Sequence, residues 1–139
     1  MDLEASIAAV KEALLADERV CAALLFGSAA KGVARAASDL DVALLARSAQ
    51  AADSLDADYL DLLGRLVRVA ERDVHLVLLD RADPVLARQA FAGARVLFDR
   101  DPSRTANALE RVLLQYFDGE YHRRMRAEAL DRGRRTRHG

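Results

Sequence analysis

The fold of this chain is decided by the stretch Ala22-Ala-Leu-Leu-Phe-Gly27-Ser28 and, ten residues later, Asp39-Leu-Asp41-Val-Ala-Leu-Leu45. Short uninterrupted apolar runs bounded by turn residues are typical of buried strands. The first run ends at a Gly-Ser pair, and the second begins with two aspartates one residue apart. The stretch therefore predicts a strand, a tight turn with a small-residue loop, and a second strand.

The two aspartates at the start of the second strand are the first candidate functional residues. Side chains alternate between faces along a strand, so Asp39 and Asp41 are predicted to point the same way, about 7 Å apart. Two carboxylates this close repel each other unless a cation lies between them. Carboxylate oxygens without a soft ligand suit a hard ion, Mg²⁺ above all. The pair is therefore predicted to hold Mg²⁺.

The Gly-Ser pair and the turn after it are predicted to hold phosphate. Gly27 permits a tight turn and close approach of a ligand to the backbone. Ser28 can cap a short helix whose free N–H groups bind phosphate. Lys31 and Arg35 could neutralise charge on a leaving pyrophosphate, although a solvated loop is an equally good interpretation. Phosphate beside Mg²⁺ is the layout of a nucleoside triphosphate site. The alternative is a structural turn followed by an aspartate that caps a strand.

Taken together, Gly27-Ser28, ten residues and Asp39-x-Asp41 resemble the signature of the DNA polymerase β-type nucleotidyltransferase superfamily. At 139 residues the chain is similar to its minimal members (MNT), and among them to the MntA-type antitoxins of HEPN–MNT toxin–antitoxin pairs. The resemblance covers nearly the whole chain. The segments that carry it are residues 25–32, 38–43, 73–79, 84–86 and 92–98.

The resemblance implies an α/β fold in which helices lie over a small mixed β-sheet. Antitoxins of this kind move AMP from ATP onto a tyrosine of a HEPN ribonuclease toxin and thereby silence it. The expected cofactors are therefore Mg²⁺, held by Asp39 and Asp41, and ATP, held at Gly27 and Ser28. The expected partner is a HEPN-domain toxin in a hetero-oligomer.

One residue departs from the family pattern. The family places a third acidic residue on the next strand, where this sequence has Val74-His75-Leu76-Val77. Asp73, two residues earlier, could supply the missing carboxylate from the edge of the strand. His75 could itself act as base or metal ligand, because its unperturbed pKa lies near neutrality. In the third interpretation the site binds nucleotide but transfers it slowly or not at all.

These interpretations lead to different functions. The first is an enzyme that adenylylates the toxin, and the second is an antitoxin that neutralises the toxin by binding alone. A third function, nucleotide transfer to a small molecule, is less favoured because the chain is short for a second substrate pocket. The sequence offers no Ser-His-Asp triad, Cys/His zinc set or P-loop lysine.

The composition of the chain limits the other classes of protein to which it could belong. A chain of 15.2 kDa with 52% hydrophobic residues is long enough for one globular domain. The net charge of −1 gives no global attraction to nucleic acid or membrane, and neither is expected as a partner. Cys21 is the one cysteine, predicted to be a buried thiol. The expected location is the cytoplasm, since no apolar run reaches the ~18 residues of a membrane span and no signal peptide is apparent.

The periodicity of apolar residues predicts alternating helices and strands. The domain core is predicted at 1–100, with a C-terminal helical extension at 101–132 and a disordered basic tail at 133–139. Predicted helices lie at 3–15, 55–71, 83–92 and 101–131, predicted strands at 20–26, 39–46, 73–79 and 94–98, and a polar connection at 48–54.

Overall fold

The computed structural model describes residues 1–31 and 39–138, which form a four-stranded mixed sheet and six helices. The predicted α/β class with helices flanking a small mixed sheet is confirmed. The elements, in chain order, are α1 (Leu3–Leu15), β1 (Val20–Phe26), α2 (Gly27–Ala30), β2 (Leu40–Ala46), α3 (Ala49–Ala57), α4 (Tyr59–Ala70), β3 (Val74–Leu78), α5 (Pro84–Phe91), β4 (Arg95–Asp99) and α6 (Pro102–His138).

Strand pairing sets the position of Asp41 and His75. The strand order is β3-β2-β1-β4, with β1 antiparallel to both β2 and β4 and with β2 parallel to β3. Asp41 is paired with Phe26 on one side and with His75 on the other. The C-terminal end of β1 and the N-terminal ends of β2 and β3 therefore lie at the same end of the sheet.

The sheet is covered by helices on both faces, so β1 and β2 are buried over most of their length. The first face packs against α1, α3 and α4, and the second against α5 and α6. Leu40, Val42 and Leu44 belong to the first core, whereas Ala43 and Leu45 belong to the second. By this alternation Asp41 lies on the α5 and α6 face.

Two helices begin at aspartates whose side chains cap them. Asp2 accepts a hydrogen bond from the Ala5 backbone N–H at 2.7 Å and starts α1. Asp83 accepts one from the Val85 N–H at 2.8 Å, and Pro84 occupies the first turn of α5.

The connection predicted at 48–54 and the single helix predicted at 55–71 are both corrected by the structure. Ser48 accepts a hydrogen bond from the Ala51 N–H at 3.0 Å and starts α3. The chain leaves helical geometry at Asp58, where φ is −98° and ψ is 11°, and α4 then begins. Ser48 is a preferred N-cap residue, and the alanines after it favour a helix.

The last helix continues past Asp131, its predicted end, to His138. The segment from 133 to 138 is therefore helical, where a disordered tail was predicted. Four of the seven residues from 132 to 138 are arginines, which have good helix propensity and favour this extension. In the described residues, no helix is long and apolar enough to cross a membrane.

Arg100, between β4 and α6, ties together two distant parts of the chain. Its guanidinium Nη1 donates to the backbone carbonyls of Asp17 at 3.0 Å and Val20 at 2.8 Å, and Nη2 donates to that of Leu15. The same guanidinium lies 5.2 Å from the centre of the Phe98 ring. One side chain thus closes the turn between α1 and β1.

Cys21 is buried and free, as predicted. Burial raises the pKa of its thiol.

Candidate active site

The bend at the end of β1 is built around a glycine. Gly27 has φ of +69°, a left-handed conformation that side chains with a Cβ rarely adopt. An ideal Cβ placed on Gly27 would overlap Asp41 Oδ2. The absence of a side chain therefore lets the Gly-Ser bend lie directly against the Asp41 carboxylate, which brings the two halves of the motif together.

Asp41 also faces a histidine on the neighbouring strand. His75 Nδ1 lies 3.2 Å from Asp41 Oδ1, and the two residues are directly paired in the parallel ladder. The Asp41 side chain is 26% exposed and that of His75 is 56% exposed, so both are accessible to a ligand. The Phe26 ring packs against the imidazole, with a tilted arrangement and 6.3 Å between ring centres.

Phe26 was not singled out from the sequence, because an apolar residue at the end of an apolar strand looks like ordinary core. Its pairing with Asp41 is the signal that places it beside the site.

Asp39 and Asp73 lie at the same end of the sheet as Asp41 and His75. Each directly precedes a strand, β2 and β3 respectively, and both are exposed. The Leu40 N–H donates to the Asp73 carbonyl at 3.0 Å, which extends the parallel pairing by one residue. Strand alternation then places Asp73 on the same face as His75.

The remaining candidates surround the bend. Ser28 is the second residue of α2 and is half-buried, while Phe26 holds the N-cap position, so the prediction that Ser28 caps this helix is wrong. Lys31 ends α2 and is exposed. Arg35 lies outside the described residues.

A family model described as polymerase beta, nucleotidyltransferase, matches residues 9–103. The chain belongs to the polymerase β nucleotidyltransferase family. The matched segment contains the Gly27 bend, Asp39, Asp41 and His75. No curated protein matches the sequence.

Solved structures with the same fold include toxin–antitoxin proteins. A chain of a toxin–antitoxin crystal structure with AMP-PNP has a TM-score of 0.68 and 23% identity, with 87% of this chain and 95% of that chain covered. For an MntA–HepT toxin–antitoxin structure the TM-score is 0.62 and the identity 19%, with 87% and 96% covered. For a tri-AMPylated Shewanella oneidensis HEPN toxin in complex with MNT antitoxin, the values are 0.63 and 18%, with 89% and 98% covered.

The sequence predicts a divalent ion at this site, so the side chains can be tested for fit. Within residues 1–31 and 39–138, no group of three or more His, Cys, Asp or Glu side chains is gathered closely enough to hold a metal. In nucleotide sites Mg²⁺ typically takes one or two carboxylates, and substrate phosphates and water supply the other ligands. Asp41 and Asp39, which directly precedes β2, could supply the one or two carboxylates that such an ion takes.

Proposed function

We propose that this nucleotidyltransferase is the antitoxin of a toxin–antitoxin pair and transfers AMP from ATP to a tyrosine of a HEPN ribonuclease toxin. The observation that carries the proposal is the contact between the Gly27 bend and the Asp41 carboxylate. A phosphate-binding bend and a metal-binding carboxylate on adjacent strands are the parts that nucleotide transfer needs. The family and the similar structures, which are toxin–antitoxin proteins, support it.

In this proposal the residues of the bend bind the triphosphate. Ser28 and nearby backbone N–H groups hold the β- and γ-phosphates, and Lys31 and Arg35 offset charge on the departing pyrophosphate. Asp39 and Asp41 hold the divalent ion, which when bound stabilises charge on the α-phosphate. These groups orient the α-phosphorus toward the partner.

The transfer step uses a hydroxyl from the partner. The tyrosine oxygen forms a bond to the α-phosphorus, the bond to the bridging oxygen of the β-phosphate breaks, and pyrophosphate leaves. In this proposal Asp73 takes the hydroxyl proton, and its position on the His75 face, directly before β3, supports that role.

A second function is favoured by one observation, the histidine at the third acidic position. His75 contacts Asp41 where the family places a carboxylate. If this replacement removes turnover, the protein neutralises its toxin by binding alone and keeps the nucleotide site as a relict.

The test is the intact mass of the toxin after incubation with ATP, a divalent ion and the antitoxin. We expect the toxin to gain whole AMP units. The Asp39→Asn plus Asp41→Asn variant should lower the transfer rate by at least ~10²-fold while complex formation persists. A matched control is Asp53→Asn plus Asp56→Asn, two exposed aspartates of α3, which should transfer normally. Complex formation with unchanged toxin mass would favour the binding function.

The proposal also requires a surface for the toxin, and we place it on the outer part of α6. Leu114, Phe117 and Met125 are 60%, 56% and 40% exposed, and their spacing places them on one side of the helix. Large apolar side chains grouped in this way mark an interaction surface. The segment from Gly119 to Gly139 has seven arginines and three acidic residues, so the toxin face is expected to be apolar with an acidic border.

Charged substitutions on this surface test the assignment. We expect Phe117→Glu to weaken binding of the toxin at least about tenfold, because a central apolar contact is replaced by a desolvated charge. Leu60→Glu is the matched control, since Leu60 is 79% exposed on α4 and should tolerate the change. Calorimetric titration of toxin into each variant measures the affinities. Equal losses for both variants would place the toxin elsewhere.

A further inference from the structure

We propose that His75 and Asp41 form a mixed nitrogen–oxygen metal pair, so that this site prefers a first-row transition-metal dication such as Mn²⁺ to Mg²⁺. The inference rests on the proposed function in one respect, namely that a divalent ion binds beside the triphosphate. It concerns the identity of that ion and does not depend on the partner or on turnover.

The distance between the two ligand atoms suits a shared ion. His75 Nδ1 and Asp41 Oδ1 are 3.2 Å apart. Two neighbouring ligands of an octahedral ion with bonds of about 2.1 Å are separated by about 3.0 Å, the bond length multiplied by the square root of two. The pair therefore needs only a small adjustment to share one ion. The Nδ1 atom must then be the unprotonated ring nitrogen.

The surrounding residues hold both ligands in place. Asp41 and His75 are directly paired neighbours in the parallel ladder, so their side chains leave the sheet on the same face. The Gly27 backbone lies against the other carboxylate oxygen, and the Phe26 ring packs against the imidazole. Ligands fixed in this way lose little conformational freedom when an ion binds.

The chemistry of the two ligands also favours a transition-metal ion over Mg²⁺. Imidazole is a poor ligand for Mg²⁺, which prefers carboxylate, carbonyl and water, whereas transition-metal dications accept imidazole nitrogen readily. A histidine in place of a carboxylate also removes one negative charge from the site. Mg²⁺ binding depends mainly on charge, so this change weakens Mg²⁺ more than Mn²⁺.

The experiment measures ion affinity directly. Mn²⁺ and Mg²⁺ are titrated calorimetrically into the full-length protein and into its His75→Asp and His75→Ala variants, with folding of each variant checked by circular dichroism. We expect the Mg²⁺-to-Mn²⁺ ratio of dissociation constants to fall at least about tenfold in His75→Asp relative to wild type. In His75→Ala, Mn²⁺ binding should weaken while Mg²⁺ binding changes little. The control is His122→Gln plus His138→Gln, which removes the other histidines and should leave the ratio unchanged.

A second readout identifies the ligand. Substoichiometric Mn²⁺ should broaden the ring signals of His75 in the proton NMR spectrum, assigned by their loss in His75→Ala, before those of the other histidines. An unchanged ion ratio in His75→Asp, or broadening that spares His75, overturns the inference. If the ratio shifts but the toxin gains no AMP with either ion, the inference stands and the transferase activity fails. If AMP is transferred but the ratio of dissociation constants is unchanged, the transferase activity stands and the inference about the ion fails.

Discussion

The Gly27→Ala variant is expected to lose AMP transfer by at least ~10²-fold while it remains folded. Its new Cβ would overlap Asp41 Oδ2, so the carboxylate must turn away from the bend and from His75. A displacement of about 1 Å at a reacting centre costs on the order of 10²-fold in rate. The backbone cost of alanine at positive φ is only about 1–2 kcal/mol. Transfer of label from the α-phosphate of ATP to the toxin measures the first effect, and urea unfolding measures the second.

Gly93→Ala separates the two effects. Gly93 has φ of +71°, close to the +69° of Gly27, but a Cβ there meets nothing within 4 Å. It should therefore show a similar loss of stability with an unchanged transfer rate. If both glycine variants lose activity to the same extent, backbone strain rather than displacement of Asp41 is responsible, and the proposed role of the bend is wrong.

Arg100→Met should lower the free energy of unfolding by about 2–4 kcal/mol. The variant keeps the aliphatic stem but loses the guanidinium hydrogen bonds to the carbonyls of Leu15, Asp17 and Val20. Hydrogen bonds to a charged group are worth about 1.5–3 kcal/mol each, and two of these three bonds are partly buried, which limits their replacement by bonds to water. Urea unfolding followed by circular dichroism, with equal m-values, measures the change.

Arg95→Met is the matched control, at the first residue of β4. Arg95 pairs with the exposed carboxylate of Glu4 at 3.0 Å, and this guanidinium keeps the pKa of Glu4 below its usual range. Exposed ion pairs contribute little to stability because water and salt screen them. The urea midpoint of unfolding of Arg95→Met should therefore stay close to that of wild type. If both arginine variants lose a similar free energy of unfolding, the hydrogen bonds of Arg100 contribute no more to stability than an exposed ion pair.

The core of the site could be predicted from the sequence because the motif is local. An apolar run, Gly27 and the aspartate pattern fix a strand, a bend and a second strand, and antiparallel pairing then brings Asp41 to the bend. The position of His75 followed from the next apolar run and from its resemblance to a third acidic position. Arg35 lies outside the described residues, so its role stays a prediction.

Other contacts could not be predicted because no local pattern in the sequence indicates them. Ser6 is fully buried, donates to the Ala70 carbonyl at 2.6 Å and accepts from Arg72 Nε at 3.0 Å. The bonds of Arg100 run to backbone carbonyls 80 to 85 positions away. Such contacts depend on how helices and strands pack, and backbone acceptors carry no side-chain signature. The start of α3 was missed for a different reason, since its capping Ser48 was interpreted as part of a polar connection.

The parallel pairing of β2 with β3 has a consequence for assembly. Asp41 and His75 are 34 positions apart, and two helices must cross over the sheet before the strands meet. A chain that has closed only its first hairpin holds one of the two residues and cannot chelate an ion through both. Loop closure of this length is a late event for a newly made polypeptide. Ion binding through both residues would therefore report only molecules in which β2 and β3 have already paired.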